Sequence, residues 1–157
     1  MSNQVLRLPA RVAPSRLEHE TALIGALLFL TPPVEQLRAV GFSGEEFTVE
    51  LFVKVWKHVL RQREAGATVT VETVVLAALA RKAITVEEGN ELRRLAGINQ
   101  LDLTGFRTVA RDFRLLVQRE RTATSLREEL QRLEGREEKL KLLDLDLEGH
   151  HAGRSKR

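Results

Sequence analysis

Leu17, Thr21, Ile24 and Leu28 fall four, three and four residues apart, the spacing of one stripe on an α-helix. The same period returns in Phe52, Val55, Trp56, Val59 and Leu60, in Val71, Val74, Val75, Ala78 and Leu79, and in Phe106, Val109, Ala110, Phe113, Leu116 and Val117. The one β-prone stretch, 67–70, is short and has no second run to pair with. The pattern predicts an all-α fold of about six to eight helices, a multi-helix bundle followed by a long C-terminal helix or helical hairpin. Gly25 sits inside the first stripe, where glycine costs about 1 kcal/mol relative to alanine. That cost predicts another backbone packed close against it.

Punctuation along the chain places the elements. Residues 1–14 carry Pro9 and Pro14, show no periodicity and read as a mobile arm. A helical body spans 15–103. Its first helix, 15–30, stops at Thr31-Pro32-Pro33, and a short helix over 33–40 ends at Gly41, a left-handed C-cap. Ser43 with Glu46, and Thr85 with Glu88, have capping-box spacing, and Thr70 is a further cap. These marks predict helices over 49–65, 70–82 and 85–97, with a loop over 98–103. The long helix or hairpin covers 104–147. Gly135 is either its turn or an interruption within one continuous helix. Residues 148–157 read as a polar tail.

The chain has 157 residues, enough for one sizeable core, and no cysteine. Disulfides, thiolate metal sites and cysteine nucleophiles are thereby excluded. Lys and Arg number 25 against 22 Asp and Glu, and the signs are interleaved, so the net charge of +3 marks no concentrated basic block. The longest apolar run, 22–30, is far short of the ~20 residues of a membrane span. Glu18 and Glu20 abut it, unlike the flank of a signal-peptide core. A cytoplasmic protein with no membrane association is the expectation. His19, His58, His150 and His151 show no metal-ligand spacing, and no nucleophile elbow, zinc helix or dinucleotide fingerprint occurs. We therefore expect no catalytic residues, no metal, no cofactor and no enzymatic activity.

The opening Pro14-Ser-Arg-Leu17-Glu18-His-Glu20-Thr-Ala22-Leu-Ile-Gly25-Ala-Leu-Leu28 resembles the start of the N-terminal domain of DnaB-type replicative helicases. Phe42-Ser43-Gly44-Glu45-Glu46-Phe47, the helix over 51–65 with Gly66, the segment 69–79 and the helix start over 106–116 resemble later pieces of that domain in the same order. Three features depart from it. The segment between the fourth and sixth helices is compressed to 84–97, the second arm of the hairpin is short and rich in leucine and acid, and no Gly-x-x-x-x-Gly-Lys-Ser/Thr occurs. The resemblance implies an assembly and docking module without the ATPase domain. Its implied partners are a replicative helicase, a primase or another copy of itself.

Two surfaces are candidates for that docking. Leu126, Leu130, Leu133 and Leu140 approximate heptad spacing, and a leucine row of this kind either folds onto the chain's own core or marks a protein interface. Arg107, Arg111, Arg114 and Arg121 lie on one face of the long helix. They read as a solvated face, as a dock for an acidic partner, or as a row that contacts phosphates. Lys54, Lys57 and Arg61 form a shorter row. The reading that follows is a non-enzymatic interaction module of DNA replication. The alternatives are a small basic DNA-binding protein, a primase-type helicase-binding domain, or a helicase fragment.

Overall fold

A computed structural model describes the backbone of residues 14–155 and the side chains of residues 15–144. Among the described residues the only regular structure is α-helix, without a strand: α1 (Pro14–Leu30), α2 (Val34–Val40), α3 (Glu50–Glu64), α4 (Val71–Ala80), α5 (Val86–Ile98) and α6 (Leu103–Ser155), joined by turns and loops. The chain divides into two units, Met1–Val117 and Gln118–Arg157. Residues 1–13 of the predicted arm lie outside the described residues. The backbone of α6 continues as far as Ser155, through most of the predicted polar tail.

In the first unit α1 packs on α5 and α3, α5 on α4, and α3 on α2 and α4. The interior holds Leu23, Ile24, Leu27, Leu37, Phe52, Trp56, Leu92, Leu95, Phe106 and Phe113, all fully buried. Four rings form its centre. Phe47 stacks on Phe113 at 5.2 Å between centroids, while Phe42 meets Phe113 and Trp56 edge-on at 5.4 and 5.6 Å. The Trp56 indole N–H donates to the Phe42 carbonyl at 3.0 Å, so the one tryptophan buries no orphan donor.

Gly25 lies where α1 crosses α5. A Cβ there would stand 2.4 Å from Asn99 Nδ2 and 2.6 Å from the Leu95 carbonyl oxygen. The close approach inferred from the sequence is thus present, and its partner is the C-terminal end of α5. Thr70 and Thr85 cap α4 and α5 as predicted, with Thr73 and Glu88 completing the two boxes. Gly41 ends α2 with φ 77°.

Ser43 behaves differently. Glu46 accepts from the Ser43 and Gly44 amides at 3.1 and 3.0 Å, but the result is a turn, and α3 begins only at Glu50. The amides ahead of α3 are taken instead by Glu20 of α1, which accepts from Thr48 N at 2.8 Å, Thr48 Oγ1 at 2.6 Å and Val49 N at 3.3 Å. Glu20 is completely buried, and Arg16 one turn earlier donates to it at 3.0 Å. The Arg16 guanidinium also bonds the Glu46 carbonyl and lies over the Phe113 ring. The Glu20 carboxylate thus ties α1 to the start of α3.

Gly135 falls inside α6, with helix on both sides. Of the two sequence readings, the structure has the continuous helix and not the hairpin.

Candidate interaction surfaces

The second unit carries the candidate leucines. Leu126, Leu130, Leu133 and Leu140 are 60, 57, 51 and 60% exposed. Every described residue from 124 to 144 is exposed. The row therefore has no cover among the described residues. Charged neighbours support the helix locally, as where Arg132 donates to Glu129 one turn earlier. Apolar side chains left at this exposure on an otherwise charged helix give it a ready surface for a second helix.

The arginines divide. Arg107, Arg111 and Arg114 line a groove of about 220 Å³ with Gln36, Ala39 and Val40 of α2, and Arg121 is not part of it. Arg107 donates to Gln36 Oε1 at 3.0 Å, and the Arg114 guanidinium lies over the Phe42 ring, 5.4 Å from its centroid. Two of the three thus fasten α2 and the turn after it to α6. Held this way, they keep their charge but have fewer free N–H donors for a phosphate than an unattached row would.

Lys54, Lys57 and Arg61 come together with His58 of α3 and Arg81 after α4. These five basic groups rim a pocket of about 320 Å³ with an apolar floor of Val55, Val74, Ala78, Ile84 and Leu92. Lys54 is 3.7 Å from Glu50, and Lys57 is paired with Glu45. Burial, with Arg81 and Arg61 nearby, holds the His58 pKa below its ordinary value of 6.5. His19 contacts the Ser15 carbonyl through Nδ1 at 2.6 Å, and the side chains of His150 and His151 lie outside the described residues. Among the described residues no group of three or more His, Cys, Asp or Glu is placed to hold a metal ion. No described helix is long and apolar enough to cross a membrane.

No protein-family model, curated protein or solved structure matches this chain.

Sequence reasoning missed the basic rim as a unit. The row Lys54, Lys57, Arg61 is visible from its spacing, but Arg81 and Ile84 reach it only through the packing of α4 on α3, twenty and more residues away. No local signal links them. The period of the leucine row is legible because it belongs to one helix; its exposure, which the sequence leaves open, comes from the structure.

Proposed function

We propose that this chain is a non-enzymatic protein-interaction module of DNA replication, which binds a replicative helicase or a primase, or pairs with itself, through helix-on-helix apolar contacts. The observation that carries this reading is the row Leu126, Leu130, Leu133 and Leu140, each more than half exposed on one helix. Burying a leucine contributes about 2 kcal/mol, so four such residues are a substantial drive for association. Two things add support. The all-helical first unit is the architecture that the resemblance to the helicase N-terminal domain implies, and the sequence contains no phosphate-cradling loop. A cytoplasmic location accords with a replication role.

Gel filtration of the chain mixed with the replicative helicase and the primase of its own source tests the proposal. A co-eluting complex with either is expected, and replacing the four leucines by glutamine should abolish it. Separate elution from both would end the replication reading.

A second reading, binding to DNA, is favoured by the groove of Arg107, Arg111 and Arg114. If it holds, affinity for duplex DNA falls steeply with salt and Arg111→Ala reduces the slope by about one.

A further inference from the structure

The charges beside the leucines choose an orientation. With Leu126, Leu133 and Leu140 at d and Leu130 at a, the flanking e positions are Arg127, Glu134 and Lys141, and the flanking g positions include Glu129 and Arg136. In a parallel, in-register pair each g residue faces the e residue five places on in the other helix. Glu129 would then face Glu134 of the second copy, and Arg136 would face Lys141 of the second copy. Both contacts join like charges, and each occurs twice by symmetry.

An antiparallel pair brings e against e and g against g. One register sets Glu129 opposite Arg136 of the second copy, with Arg127 toward Glu134 of the second copy along the other edge. That register places Leu130 beside Leu133 of the second copy and Ala123 beside Leu140 of the second copy. Large side chains then meet small ones at both ends of the seam. Glu137 takes a seam position opposite Leu126 of the second copy, where a polar group weakens the pair but resists slippage. A parallel pair shifted by one heptad also matches charges, but it leaves an unpaired heptad at each end, and such a contact propagates into filaments.

We propose that the exposed leucine seam of α6 pairs with a second copy of this chain as a closed antiparallel two-helix coil, its direction set by Glu129, Glu134, Arg127 and Arg136. This rests on the reading of the leucine row as a mating surface and adds the partner and its polarity. The seam is short, so the dimer is weak, with dissociation in the range of about 10–100 µM.

Two measurements on the full chain test it. In sedimentation equilibrium, Glu129→Arg and Arg136→Glu each weaken the dimer about fivefold, and the double exchange restores it. A parallel pair predicts the reverse, since Glu129→Arg would relieve a Glu–Glu contact and tighten association. The chain has no cysteine, so Arg121→Cys gives a single site for a spin label. In the antiparallel coil the two labels are separated by roughly 30 Å along the axis, and in the in-register parallel coil they stand level, within about 20 Å. Tightening by Glu129→Arg, a short label distance, filaments, or a monomer throughout the concentration range each overturns the proposal. A monomer that still binds helicase or primase overturns only the self-pairing. An antiparallel dimer that binds neither sinks the replication reading and leaves the seam intact.

Discussion

Glu20 is a charged group with no solvent exposure, tolerable only because donors stand where water was: Thr48 N, Thr48 Oγ1, Val49 N and Arg16 Nε. Glu20→Gln turns one acceptor into a donor facing those donors. We expect it to destabilise the first unit by about 3 kcal/mol, read from Trp56 fluorescence during urea unfolding. An effect under 0.5 kcal/mol would show that the carboxylate is not the tie between α1 and α3. At Gly25 an added methyl would stand 2.4 Å from Asn99 Nδ2 and 2.6 Å from the Leu95 carbonyl oxygen, well inside contact distance, and the backbone oxygen cannot swing aside. Overpacking costs about 1–3 kcal/mol against a helix-propensity gain of about 1, so Gly25→Ala should be net destabilising in the same assay. His58 supplies a pH dependence. Its folded pKa is depressed, so in mildly acid solution the unfolded chain binds the proton more readily than the folded one. Stability contributed by neutral His58 is complete above about pH 7 and declines as pH falls through 6.5. Lys54, Lys57, Arg61 and Arg81 line the same pocket. Urea midpoints between pH 7.5 and 5.5 should fall for the wild type and fall less for His58→Gln; parallel slopes would contradict this.

At the scale of elements, what was legible was what is local. Thr85 and Glu88 stand three residues apart, so a capping box can be read from spacing alone, and it forms. Gly25 declares a close neighbour without saying which, because its cost is local and its partner, Asn99, is not. The start of α3 shows the opposite case. Glu46 takes the Ser43 amide, but the Ser43 hydroxyl accepts from the Glu45 amide, so only half of the predicted box forms. Helix α3 begins at Glu50, within a residue of its predicted start, and Glu20, from 28 residues away, takes the Thr48 amide ahead of it. Arg114 could be placed on a helix face from its spacing, but the Phe42 ring beneath it could not. Gly135 was ambiguous for a related reason: glycine serves both turns and unremarkable helix interiors, and only the surrounding helix decides. A Cβ at Gly135 meets nothing within 4 Å. Gly135→Ala should therefore raise helicity and stabilise α6 by about 1 kcal/mol, measured by far-UV circular dichroism through thermal unfolding. Loss of helicity would argue for the turn that the structure lacks.

On the scale of the whole molecule, the two units divide the work. The first is a set of helices closed around Phe42, Phe47, Trp56 and Phe113, with the Trp56 indole, the Glu20 carboxylate and the Thr70 and Thr85 caps bonded from within. The second presents leucines that its own described residues leave uncovered. A helix of this composition has little tertiary packing of its own to hold its amides, and gains such packing when another helix covers the row. Amide hydrogen exchange over residues 118–144 therefore tests the central claim most directly. Protection of that segment should rise with protein concentration, or on adding the replicative helicase or primase, while residues 15–117 stay as they were. Exchange over 118–144 that stays fast and unchanged at the highest concentration, and with both proteins present, would contradict the claim that this leucine row is a mating surface.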